Sequence, residues 1–201
     1  VRGLSVALQS DSPELQEALA MALGQIGYAH AGARLKELST REGILPRVRR
    51  AAEGALITCV GVRNAEKSVS RLFYDLALDY YNYAESLLPE QQYATANVWY
   101  WQDDIGLTFR AVPREIFCDV YAMRMSRLAL EHDKSAEPAV ALWLAANLRR
   151  ESHLDPGQTD PTWPAGAPGA DYYALAAGPR YLLNVLARGL EDKDAAISWG
   201  A

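Results

Sequence analysis

An all-α fold, a superhelix of stacked helical pairs with one inserted β-hairpin, is what the 201-residue sequence predicts. Three observations carry this. Apolar residues recur at steps of three and four along most of the chain, which is the period of a helix with one buried face. Two helix starts, at Pro13 and Pro46, stand 33 positions apart with matching apolar positions behind them, and such a repeat marks units that cannot bury their apolar faces alone. One segment alone, 97–112, alternates as a half-buried strand pair does.

The elements follow in order. Ser12 before Pro13 supplies a cap and a proline at the first helical position, and Gly27 a stop; between them Leu15, Leu19, Ala22, Leu23 and Ile26 share a face. Pro46 opens a second such helix, with Val48, Ala51, Ala52, Ala55, Leu56 and Cys59 inward and Gly61 as the stop. Leu15 superposes on Val48, Ala18 on Ala51, Ala22 on Ala55 and Leu23 on Leu56. A shorter helix precedes each, at Leu4–Leu8 and around Ala31, Leu35 and Leu38, and the alanines and glycines let neighbours approach closely. Residues 65–88 read as one long helix with a seam of Val69, Phe73, Leu76, Tyr80, Tyr83 and Leu87.

Asn97–Trp101 and Leu107–Val112 then flank Asp103-Asp104-Ile105-Gly106, a hairpin with Trp99 and Trp101 on one face and Val98 and Tyr100 on the other. Residues 114–131 form a helix begun by Pro113, and Ser135 caps the next, which carries Val140, Leu144 and Leu148. Four prolines and three glycines between Asp155 and Gly169 make a loop around Trp163, and Gly178-Pro179 is a second break.

Residues 1–61 resemble two HEAT repeats of the kind found in bacterial HEAT-repeat and phycobilin-lyase-like proteins. The resemblance rests on the turn Leu8-Gln9-Ser10-Asp11-Ser12-Pro13 and on Val48-Arg49-Arg50-Ala51-Ala52. Gln16 stands where the family carries an Arg, and Ile44 where it carries an Asp, so the inter-repeat Asp–Arg ladder reduces to Arg49 towards Asp11. Residues 114–150, with Ala122, Ala129 and Leu130, resemble one tetratricopeptide hairpin, with Lys134 replacing the usual Pro. Residues 179–201 resemble the opening of another HEAT unit that stops after about two turns from Asp194. The organisation expected is therefore two HEAT-like repeats (1–61), a long helix, hairpin and TPR-like pair (65–150), a Pro/Gly-rich loop (151–178) and a truncated repeat (179–201), all cut from a longer chain.

Composition excludes several classes. With 50% apolar and 22% charged residues and a net charge of −5, the chain is neither disordered nor a broadly basic nucleic-acid binder. No apolar run reaches the ~18 residues of a membrane span, no signal peptide opens the chain, and a cytoplasmic location is the default. Cys59 and Cys118 read as two buried helical thiols, with a disulfide the alternative.

Catalytic, cofactor and metal motifs are not found: there is no phosphate loop, nucleophile elbow or His-Glu-x-x-His. His30, His132 and His153 read as residues at helix C-termini, and Asp103 and Asp104 as turn formers. Arg47, Arg49 and Arg50 form one basic cluster and Arg149 with Arg150 another; each is an anion contact or, on the favoured reading, a solvated helix face with Arg49 in an inter-repeat ion pair. Tyr80, Tyr81, Tyr83, Tyr93, Trp99, Tyr100 and Trp101 crowd more rings into 93–101 and the preceding helix than one stripe and one hairpin face can bury.

The expectation is a non-enzymatic scaffold that binds other proteins or peptides through Tyr80, Tyr81, Tyr83, Trp99, Trp101, Arg47 and Arg50. The resemblance to lyase-like HEAT proteins implies the alternative, an accessory enzyme of the chromophore-lyase-like class.

Overall fold

A computed structural model describes residues 1–191, and the Asp194–Ala201 half-helix expected from the sequence lies outside them. The described residues are mostly helical, 64%, with a two-stranded antiparallel sheet. In order the elements are α1 (Arg2–Ala7), α2 (Pro13–Ile26), α3 (Gly32–Thr40), α4 (Pro46–Val60), α5 (Val62–Ala65), α6 (Val69–Tyr81), β1 (Thr95–Gln102), β2 (Gly106–Pro113), α7 (Phe117–His132), α8 (Glu137–Ser152), α9 (Ala170–Ala177) and α10 (Pro179–Glu191). Two compact units divide it: Val1–Leu72 with Trp99–Arg110, and Phe73–Val98 with the chain from Ala111 onward. The division runs through α6 and through the hairpin, so neither element belongs wholly to one unit.

In the first unit α1 and α2 form one pair, and α3 and α4 the next, with α1 beside α3 and α2 beside α4. The helix ends are those the sequence predicts. Ser12 Oγ accepts from Leu15 N at 3.2 Å, Pro13 takes the first helical position, and Gly27 (φ +67°) closes α2 in the left-handed region. Close approach between the pairs depends on missing side chains. A Cβ on Gly24 would lie 3.0 Å from Ala55 Cβ and 3.1 Å from its Cα, so α2 sits against α4 at backbone distance. The apolar equivalence is imperfect: Val48 is sealed, whereas Leu15 is 39% exposed. The reason is local, since α4 packs against α2, α3 and α5, whereas the main neighbours of α2 are α1 and α4. The buried stripe of α2 runs instead through Gln16, Leu19, Ala20 and Leu23.

The hairpin register follows from Arg114 N donating to Ala94 O, which sets Trp99 opposite Phe109, ring centroids 5.3 Å apart. Trp99 and Leu107 rest on Gly3 of α1, where a Cβ would meet them at 3.5 and 3.2 Å.

In the second unit α8 packs on α7, α9 and α10. Tyr80 stacks on Tyr121 (4.7 Å) and Phe73 on His132 (5.7 Å), which fixes the end of α6 against α7. Three expectations change here. The long helix expected over 65–88 ends at Tyr81, because Tyr83 turns to φ +53° and Leu87 is buried from a separate 3₁₀ turn. Ser135 does not cap α8: its N–H and hydroxyl both go to Asp133, and Ala136 is the N-cap without a side-chain bond. Part of the expected loop is α9, whose first N–H, on Ala170, is taken by Glu151 Oε1 of α8. A cap delivered by another helix leaves no local signature.

Among the described residues no helix is long and apolar enough to cross a membrane, and no group of three or more His, Cys, Asp or Glu could hold a metal ion. Cys59 and Cys118 are free, buried thiols.

Candidate functional site

The residues expected to bind partners do not gather. Tyr80 and Tyr81 are core, 3% and 0% exposed, and offer no face to another molecule; Tyr80 spends its ring on Tyr121, Tyr81 under the Arg149 guanidinium at 3.7 Å. Trp99 and Trp101 are half-buried and belong to the first unit, whereas Tyr83 belongs to the second. Arg47 and Arg50 are exposed. Arg47 joins Glu14 and Glu17, and Arg50 has no side-chain partner among the described residues.

The ladder expected from Arg49 is corrected by the same geometry. Arg49 is exposed and its side chain bonds nothing among the described residues, and it is Arg47 that takes Glu14, its 33-residue counterpart. The acidic turn is held from within: the buried Gln16 donates its amide to Ser10 O, and Ser10 Oγ accepts from Ser12 N. Gln16 thus fixes the turn from inside α2.

Arg149 and Arg150, read as a solvated pair, are 5% and 2% exposed. They sit where α8 meets three other segments, and burial there is possible because each finds acceptors. Arg150 reaches Asp160 Oδ2 at 3.3 Å, Asn147 Oδ1 at 3.0 and 3.1 Å and Glu151 at 3.2 Å, and covers the Trp163 ring at 4.3 Å. It nails the Pro-rich loop to α8. Arg149 Nη1 donates to Tyr81 O at 2.7 Å, which satisfies a carbonyl left open at the end of α6.

Beside Arg149 lies the arrangement with the most chemical content. Asp119, in the first turn of α7, is fully buried. Its Oδ2 is 2.9 Å from Nδ1 of His153, the residue closing α8, and its Oδ1 accepts from the Tyr83 hydroxyl at 3.2 Å. A carboxylate facing Nδ1 selects the tautomer protonated there. His153 keeps 37% of its side chain exposed, so the buried carboxylate is tied to a ring that solvent reaches. Burial raises the Asp119 pKa, against His153, Arg149 and Tyr83, which all favour its charge. Burial and the Asp119 charge push the Tyr83 phenol well above the usual tyrosine range. Burial works against the Arg149 charge, but Tyr81 and Tyr83 beside it outweigh that and hold its pKa raised.

Tyr83 is held in an unfavourable place. Ala84 N donates to Asp79 O and Tyr83 N to Tyr80 O, which is the helix-ending motif whose left-handed position glycine normally fills. Tyr83 is the single non-glycine residue with positive φ among those described. It also lines a cavity of about 400 Å³ together with Leu88, Pro89, Gln91, Arg114, Glu115 and Cys118.

Asp119 and His153 lie 34 positions apart and Tyr83 36 positions before Asp119, so spacing did not single them out. The one available signal was Asp119 itself, a charge among Phe117, Cys118, Val120 and Tyr121 on a face that should be apolar.

Compared with known protein families, curated proteins and solved structures, the chain matches none.

Proposed function

We propose that the chain is a helical-repeat scaffold of HEAT-like and TPR-like pairs that binds other proteins, with the hairpin as the binding element. The neighbour pattern of α1 with α3 and α2 with α4, and the Arg47–Glu14 pair at the repeat interval, support the repeat reading. The observation that carries binding is the apolar side of the hairpin. Ile105, Leu107 and Phe109 are 72%, 38% and 54% exposed, and their spacing of two puts Leu107 and Phe109 on one face with Trp99 and Trp101. Leaving such a face in water is unfavourable, and a two-stranded sheet gains its stability from what covers it. Apolar and aromatic residues clustered this way are the usual centre of a protein interface.

The reading narrows the expected surface on the hairpin: Trp99 and Leu107 rest on Gly3 of α1, and Ile105 and Phe109 are its most exposed apolar residues. A photo-crosslinking amino acid at Phe109 tests it, with the exposed Ile57 of α4 as control position. The expected result is a defined polypeptide adduct from position 109 only, lost with Ile105→Lys at an unchanged unfolding midpoint. The same adducts from both positions, or none from 109, would refute the reading.

A further inference from the structure

Resting on the hairpin as the binding element, we propose that the outer edge of β2 takes up an extended peptide as a third, antiparallel strand, and that this peptide alternates apolar residues and ends in Lys or Arg at the hairpin turn. The sheet has two strands, so each is paired on one edge only. Arg114 N bonds Ala94 O, and the bonds of an antiparallel pair fall on every second residue, so Leu107 and Phe109 turn their N–H and C=O away from β1. Among the described residues no backbone group of another element bonds these two. Their side chains are 38% and 54% exposed, whereas Trp101 and Trp99, across from them on β1, are half-buried, which favours the β2 edge. An open edge beside exposed apolar side chains is a template for strand addition: main-chain bonds supply affinity, and alternate side chains supply selectivity.

Charge decides the partner. Asp103 and Asp104 stand exposed at the turn just before β2, and neither carboxylate has a hydrogen bond or ion pair among the described residues. The cation of β2, Arg110, lies over the Tyr100 ring, on the face opposite Phe109. A strand antiparallel to β2 finishes at this turn, so its last residues meet the two carboxylates, where basic side chains are attracted and acidic ones repelled. Its apolar residues at every second position lie beside Leu107 and Phe109, the cross-strand neighbours on one face.

Three synthetic peptides are the probes: Val-Thr-Val-Thr-Val followed by Lys-Lys, the same followed by Glu-Glu, and the Lys-Lys peptide N-methylated at its third and fifth residues, which removes the donors facing β2. Amide hydrogen exchange of the whole chain is read by NMR, with Leu107 and Phe109 as reporters and Ala52 of α4 as reference. The Lys-Lys peptide should slow exchange at both reporters saturably, the N-methylated one should not, and the Glu-Glu one should bind about tenfold more weakly at low salt. Asp103→Asn with Asp104→Asn should bring the Lys-Lys and Glu-Glu peptides to equal affinity. Absence of slowing at Leu107 and Phe109, while the crosslink from position 109 still forms, would overturn strand addition and leave the hairpin as the binding element. Equal protection by the N-methylated peptide, or equal affinity of the native chain for the two charge forms, would also overturn the proposal. Should the double Asn variant fail to fold, the three peptides on the native chain decide it alone.

Discussion

The α2–α4 seam and the α7–α8 seam join helices of similar length, 14 and 15 residues in one and 16 in both partners of the other. They are built on opposite terms. The first is closed by Leu19, Leu23, Ala52 and Leu56, with Gly24 lying directly on Ala55, and its ion pairs stay outside on Arg47. The second buries Asp119, Ser126, Asn147, Arg149 and Arg150 among its apolar side chains. An apolar seam draws its stability from area and close approach, which many sequences supply. A polar seam loses stability unless every charge finds its own partner, and it therefore specifies one arrangement and one set of loops.

Breaking the polar seam should have the largest effect. Arg150→Met keeps the stem over Trp163 but strands Asp160, whose side chain is 1% exposed, so a loss of ~3–5 kcal/mol in urea unfolding is expected, with a change in Trp163 fluorescence before the main transition. A loss within the range of a surface substitution would show that the buried pair does not hold the loop. In the apolar seam the corresponding break is Gly24→Val, which puts branched carbons against the backbone of Ala55 and should cost ~1–3 kcal/mol.

The two regions should also answer pH with opposite sign. Burial raises the Asp119 pKa, so the folded chain keeps a proton that the unfolded chain has released. Its contribution is complete below the ordinary Asp value and is lost as pH rises through the raised one; Asp119→Asn should flatten that fall in denaturation midpoints. Glu14, lowered by a backbone hydrogen bond and by Arg47, contributes the reverse: its stabilisation is present above the ordinary Glu value and fades as pH falls, and Glu14→Gln should remove it. Slopes of the same sign would contradict the contrast.

The smallest effect separates Arg47 from Arg49. Arg47→Ala should lower the midpoint slightly at low salt and not at high salt, because its partners are exposed, and Arg49→Ala should change nothing. An Arg49 effect larger than that of Arg47 would restore the ladder that the sequence suggested.

Helix starts at Pro13 and Pro46, stops at Gly27 and Gly61, and the hairpin were all legible, because each is a local preference or a period that short stretches of chain express by themselves. The end of α6 was not, since Tyr83 adopts a conformation that its own residue type disfavours and that Asp119, 36 positions away, helps to hold. Nor was the candidate site: a carboxylate, an imidazole and a phenol become a cluster only when α7, α8 and the turn after α6 are packed. The burial of Arg149 and Arg150 belongs with these. A run of two arginines reads the same on a solvated face as in a core, and which one it becomes depends on whether Tyr81 O, Asn147 and Asp160 arrive to meet it. The sequence by itself determined where helices begin, stop and turn an apolar side, because those choices are made within a few residues. Only the tertiary structure decided which polar groups are buried together, because the free energy of a buried charge is set by partners that lie far along the chain.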